Sequence, residues 1–207
     1  MGKIKNIIFD FGGVIMEIDY EQAVKSFLRL GLTDAVKQLD PYTQQGIFGD
    51  LESGKINDED FRQKLSKMVG RILTWEECQT AWKGYCKNLP HRNLLTLKKL
   101  RAEGYRIILL SNTNPFMMSW AMSNEFDNEG HPLSDYLDAS YLSYQCKIMK
   151  PQPEIFQLIL NKEKIRPEET LFVDDGPKNV DVAARLGFQI LCPPEGSDWT
   201  NEIYHHL

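Results

Sequence analysis

The chain of 207 residues predicts an α/β fold: a doubly wound, Rossmann-like parallel sheet carrying an inserted all-helical segment. Three observations lead there. Four short apolar runs, at residues 4–9, 106–110, 170–173 and 188–191, are near-continuous rather than alternating, as strands covered on both faces require. Helical patterns separate the later runs, so strand and helix alternate. Residues 17–90, in contrast, hold helix signals and no convincing strand.

In chain order, the first strand runs into Asp10. Asp19 then caps a helix with apolar positions Tyr20, Ala23, Val24, Phe27 and Leu28, with Gln22 at the capping-box position. Asn57 precedes Phe61, Leu65, Met68 and Val69 at helical spacing, and Thr74 with Glu77 forms a further capping box before Cys78, Ala81, Trp82 and Tyr85. Helices without a sheet must bury their apolar faces against one another, so residues 17–90 are expected to form a small cap domain. Residues 1–16 and 91–207 form the core. There, Leu94, Leu97 and Leu100 lead to a stop at Gly104, before the second strand. Pro153 opens a helix with Ile155, Phe156, Ile159 and Leu160 on one face, and Val180, Ala183 and Ala184 run to Gly187 before the last strand.

Composition narrows the function. With 24 basic and 29 acidic side chains the net charge is −5, which provides no field for a phosphate backbone and argues against a nucleic-acid partner. No apolar run is long enough to cross a bilayer. Asp10 interrupts the apolar stretch after Lys3 and Lys5 too early for a signal-peptide core. Cys78, Cys86, Cys146 and Cys192 show no metal-binding spacing and read as reduced thiols, so a cytoplasmic protein is expected.

Ligands of open α/β sheets bind beyond the carboxyl ends of the strands. Those ends carry Asp10-Phe11-Gly12-Gly13-Val14, Ser111-Asn112-Thr113-Asn114 and Asp174-Asp175-Gly176-Pro177-Lys178-Asn179, while Lys150-Pro151 lies ahead of the helix leading to the third strand. Three carboxylates in one cleft repel one another and call for a divalent cation with hard oxygen ligands, pointing to Mg2+. Lysine and hydroxyl groups would face an anion.

Taken together, these motifs resemble the haloacid dehalogenase superfamily of aspartate-nucleophile phosphohydrolases, in the family's order and over essentially the whole chain. Phe9-Asp10-Phe11-Gly12-Gly13-Val14, Leu110-Ser111-Asn112, Lys150-Pro151 with Ile155-Phe156, and Phe172-Val173-Asp174-Asp175 with Asn179 carry the likeness. The helical insertion, including Glu52-Ser53-Gly54-Lys55-Ile56, resembles the family's first-position cap. The resemblance implies Asp10 as nucleophile, and Asp10, the Gly12 carbonyl oxygen, Asp174 and Asp175 as Mg2+ ligands, with Asp175 favoured as the direct one of that pair. It also implies Ser111, the Asn112 N–H and Lys150 as the phosphoryl-binding groups, and Asn179 as a support for that loop. The expected partner is a small phosphorylated metabolite.

One position departs from the pattern. Phosphatases of this superfamily usually carry a second aspartate two residues after the nucleophile, to protonate the leaving oxygen and then activate water; here that position is Gly12. Three readings accommodate it. A sugar 1-phosphate has an easier leaving group, and the chain is similar to a bacterial branch that includes α-glucose-1-phosphate phosphatases. A 2-haloacid dehalogenase needs no proton donor, although Asp174-Asp175 would be spare negative charge there. A non-catalytic phosphometabolite-binding protein would keep the pocket alone. Glu17 and Asp19 lie close behind Asp10 and are candidate replacements for the missing acid, although Asp19 already has a role as a helix cap. The stretch from Gly49 to Lys55 fits G-x-x-x-x-G-K, but Ile56 stands where a phosphate loop needs Ser or Thr, and Asp50 and Glu52 would repel phosphate.

Overall fold

The computed structural model describes residues 3–40 and 44–207. Five parallel strands form the central sheet: β1 (Asn6–Phe9), β4 (Arg106–Ser111), β5 (Ala139–Leu142), β6 (Thr170–Val173) and β7 (Gln189–Leu191), in the order β5-β4-β1-β6-β7. Register is in step across the centre, with Ile8 beside both Ile108 and Phe172. The near-continuous apolar runs have their explanation in two separate cores. Ile7, Phe9, Ile107, Leu109, Leu171 and Val173 face one core, and Ile8, Ile108, Leu110 and Phe172 face the other.

Helix α6 (His91–Ala102) buries Leu94, Leu97 and Leu100 on the first face. On the second face, α9 (Pro153–Glu163) contributes Ile155, Phe156 and Ile159, and α10 (Pro177–Arg185) contributes Val180 and Ala183. Between β2 (Glu17–Ile18) and β3 (Cys86–Asn88) lie α1 (Tyr20–Leu30), α2 (Ala35–Gln38), α3 (Gly46–Glu52), α4 (Asp58–Val69) and α5 (Trp75–Trp82). Their contact is aromatic: Phe27, Phe48, Phe61 and Trp82 pack with ring centroids 5.0–5.9 Å apart.

The helix caps read from the sequence form, with one box incomplete. Asp19 accepts the Gln22 N–H at 2.8 Å, but its own N–H goes to the Tyr85 carbonyl rather than to the Gln22 side chain, whereas Thr74 with Glu77 closes a reciprocal box. Asn57 does the same with Asp60. Leu28, Met68 and Ala184, however, lie at the margins of their apolar stripes and are exposed.

Three strands escape the sequence reading. β2 and β3 pair antiparallel, Glu17 with Asn88 and Ile18 with Cys86, and make a short ribbon at the foot of the helical segment, correcting the strand-free expectation for residues 17–90. They are too short to show any period. The edge strand β5 leaves Ser140 exposed, so it carries no apolar run. The G-x-x-x-x-G-K stretch is not a strand–loop–helix unit: Gly49 to Glu52 lie inside α3, and Gly54 follows at φ +68°. No helix among the described residues is long and apolar enough to cross a membrane.

Candidate active site

The strand order places the chemistry. In a sheet ordered 3-2-1-4-5 by its own strands, the strand order reverses beside β1, and a crevice opens beyond the carboxyl ends there. Asp10 follows β1, Ser111 ends β4, and Asp174-Asp175 follow β6. Lys150 arrives from the β5–α9 connection.

Lys150 is the electrostatic centre, its side chain 1% exposed. Its Nζ lies 2.9 Å from Asp10 Oδ2 and donates to Asp174 Oδ2 at 2.6 Å. Burial alone would drive the ammonium's pKa down, but the fields of Asp10 and Asp174 outweigh it and hold it raised. Asn112 sets the lysine's place: its Nδ2 donates to the Lys150 carbonyl and its Oδ1 accepts the Lys150 N–H, both at 2.9 Å. The amide side chain thus braces the lysine, a role beyond the backbone contact expected of Asn112.

The carboxylates are unequal. Asp174 is fully engaged, since Oδ1 accepts from the Gly176 N–H at 2.8 Å and from Asn179 Nδ2 at 2.9 Å, while Oδ2 takes the lysine. Asn179 thus meets the loop after β6 through Asp174. Asp175 Oδ2 is buried and has no hydrogen-bond partner among the described residues. Carboxylate oxygens of Asp10, Asp174 and Asp175 all lie within 4.8 Å of one another. Burial, followed by the field of Asp174, pushes Asp175 up to about 6. Burial likewise raises Asp10, with Lys150 opposing it and Asp174 and Asp175 adding to it.

Three carboxylates against one ammonium leave a formal excess of two negative charges, and one buried oxygen lacks any partner. That donor set fits a hard divalent cation. The backbone makes room for the Asp175 carboxylate: a Cβ on Gly13, which sits at φ +79°, would come within 2.3 Å of Asp175 Oδ2.

Above this cluster is a cavity of about 670 Å3, lined on the core side by Asp10, Gly12, Ser111, Lys150 and Asp175 and on the helical side by Gln44, Glu52, Trp82 and Tyr85. Glu17 and Asp19 are not among its lining residues. Glu17 pairs with Arg92 at 3.8 Å, and Asp19 is occupied as the α1 cap.

Sequence reasoning missed Glu52 as a site residue, placing it in the cap-like segment and otherwise taking it as a charge that would repel phosphate. The residue is 7% exposed and ends α3 over the cavity. Burial, relieved in part by a hydrogen bond from Asn114 and reinforced by the field of Asp10, pushes its carboxyl up to about 8. Asn114 Oδ1 is taken by the Met117 N–H, which leaves its Nδ2 to donate to Glu52. Ser143 Oγ fixes the backbone, donating to the Glu52 carbonyl at 2.7 Å and accepting the Thr113 N–H at 3.0 Å. The only sequence signal was the place of Glu52 in the cap-like segment.

A buried lysine, the aspartate after β1 and an acidic pair after β6 meet at one strand end, and the haloacid dehalogenase-like hydrolase family model matches residues 4–187. The chain belongs to that family. Relatives agree along the length of this haloacid dehalogenase-like hydrolase. D-ribitol-5-phosphate phosphatase of Bacteroides thetaiotaomicron is 50% identical over 200 residues, 97% of each chain. A predicted hydrolase of this family from Porphyromonas gingivalis superposes with TM-score 0.93 at 38% identity, covering 99% of this chain and 98% of that one. A family enzyme of B. thetaiotaomicron, in complex with magnesium and inorganic phosphate, superposes with TM-score 0.88 at 35% identity, covering 96% and 98%.

Proposed function

We propose that this hydrolase is a Mg2+-dependent phosphatase of a small phosphorylated sugar or sugar alcohol, working through an aspartyl-phosphate on Asp10. The observation that carries the reading is the partnerless buried oxygen of Asp175 within 4.8 Å of Asp10, beside a lysine already held by Asp10 and Asp174. Asp10, Asp175 and the Gly12 carbonyl would hold the cation. Asp174, with both oxygens occupied, orients Lys150 and the Asp175 loop. When bound, the cation neutralises charge on the phosphoryl oxygens. Ser111, the Asn112 N–H and Lys150 receive the remaining phosphoryl oxygens, placing positive charge and donors where the transition state spreads its negative charge.

The alcohol portion of the substrate occupies the helical side of the cavity. Polar groups suited to hydroxyls gather there: Tyr85 Oη meets Gln44 Oε1 at 3.2 Å, and Trp82 Nε1 is buried with no partner among the described residues. Residues 17–90 act as the cap, shielding phosphoryl transfer and admitting water for the second step. The similarity to a D-ribitol-5-phosphate phosphatase supports a pentitol phosphate as substrate. A 1-phosphate preference rests on Gly12 and on the likeness to a branch that includes α-glucose-1-phosphate phosphatases. Halide removal is disfavoured, because the Asp174-Asp175 pair would only repel a haloacid carboxylate.

The test is inorganic phosphate release from pentitol 5-phosphates and paired hexose 1- and 6-phosphates, with and without Mg2+, with Asp10→Asn as control. Mg2+-dependent release that vanishes in the variant is expected. Saturable binding of these esters without release would establish the binding-protein reading instead.

A further inference from the structure

Accepting the phosphatase reading leaves one chemical need unmet. An alkyl phosphate expels an alkoxide that must be protonated, and the position that usually supplies the proton is Gly12, without a side chain. The space is also contested, since a Cβ at Gly12 would lie 3.2 Å from Ile18 Cγ2. Of the two acids that follow closely in sequence, Glu17 and Asp19, neither lines the cavity. The acid must come from elsewhere.

Among the described residues, the cap side of the cavity carries two carboxyl side chains, Asp40 and Glu52. Asp40 is half-buried, whereas Glu52 is buried, held by Asn114 on one side and anchored through its carbonyl to Ser143. It lies within the field of Asp10 across the cavity, and among the described residues Tyr85 is a further titratable group that interacts with it. An alcohol leaving in line from phosphorus departs on the side opposite Asp10, toward the cap.

We propose that Glu52 replaces the missing aspartate as the general acid and base of the reaction. As a carboxylate oxygen of Asp10 attacks phosphorus, the P–O ester bond breaks, its electron pair stays on the leaving oxygen, and that oxygen takes the Glu52 proton. The Glu52 carboxylate then takes a proton from water, whose oxygen attacks phosphorus. The Asp10–phosphorus bond breaks, returning free Asp10, inorganic phosphate and protonated Glu52. Proton and electrons balance over the cycle without any co-reactant.

The experiment compares Glu52→Gln with the wild type on two substrates in Mg2+: a pentitol 5-phosphate, which needs a proton on its leaving oxygen, and 2,4-dinitrophenyl phosphate, which does not. In the variant, kcat/KM for the pentitol ester should fall about 10²–10⁴-fold while that for the aryl ester changes little. Its aryl reaction should also show a burst of phenolate followed by slow turnover, because water activation is lost. An equal fall for both substrates, or no fall for the pentitol ester, overturns the assignment. A second measurement uses the wild type alone and is independent of how the variant folds. Across aryl phosphates of decreasing phenol acidity, kcat/KM should stay nearly level; a steep decline overturns the proposal. Wild-type protein that releases phosphate from neither ester would instead sink the phosphatase reading on which this rests.

Discussion

Glu52 and Lys150 show how burial sorts charge in one cavity. Lys150 keeps its proton because two carboxylates touch it, and Glu52 keeps its own because it is buried and pairs with no cationic side chain among the described residues. The second case has a consequence for stability. The folded Glu52 carboxyl titrates near 8, against an ordinary value of 4.5 in the unfolded chain. Below that ordinary value both states hold the proton and the group contributes no pH dependence. Between the two values the folded state alone holds it, so stability falls as pH rises. Glu52→Gln removes this loss. The variant's melting temperature should therefore gain on the wild type steadily from pH 5 to pH 8, read by thermal melts across that range. A difference that stays flat with pH would mean the carboxyl is not held protonated.

At the scale of elements, the helical segment meets the sheet through the end of α3. Gly54 sits at φ +68°, and a Cβ there would lie 2.2 Å from the Tyr144 carbonyl oxygen. The helix end can approach the β5–α8 corner, where α8 is Ser143–Cys146, only because that side chain is missing. Gly54→Ala should lift Glu52 away from the cavity. A displacement of about 1 Å costs on the order of 10²-fold in kcat/KM, measurable on the pentitol ester while circular dichroism stays native. The elements themselves were unevenly legible. Caps and helix faces could be read because Asp19, Asn57, Thr74 and the Leu94-Leu97-Leu100 stripe act within a few residues of one another. β2, β3 and β5 could not, because two- to four-residue strands without a continuous apolar run owe their existence to a partner far away in the chain.

Over the whole molecule, the last segment of the chain secures the first. Trp199 is fully buried, packs on Phe9 at 5.2 Å between ring centroids, and donates its indole N–H to the Val14 carbonyl at 2.8 Å. Asn93 Nδ2 donates to the same carbonyl at 3.0 Å and to that of Ile15 at 3.1 Å. The loop behind Asp10 is thus held from two distant places. Trp199→Ala should destabilise the fold by about 3–5 kcal/mol through the cavity it leaves. Trp199→Phe, which keeps most of the packing and loses the hydrogen bond, should cost roughly 1 kcal/mol. Urea unfolding of both variants separates the two contributions, and equal losses would contradict this account.

The sequence by itself determined the α/β class and the ordered motifs that carry Asp10, Ser111, Asn112, Lys150, Asp174 and Asp175, because strand ends, turns and caps are local events written in neighbouring residues. Only tertiary structure decided which of the paired aspartates has an oxygen to spare, that the Asn112 side chain braces Lys150, and that Glu52 stands over the cavity while Glu17 and Asp19 do not. Each of these depends on segments distant in the chain meeting at one sheet edge. Burial and the fields of neighbouring charges, which set what a carboxyl can do, exist only once they have met.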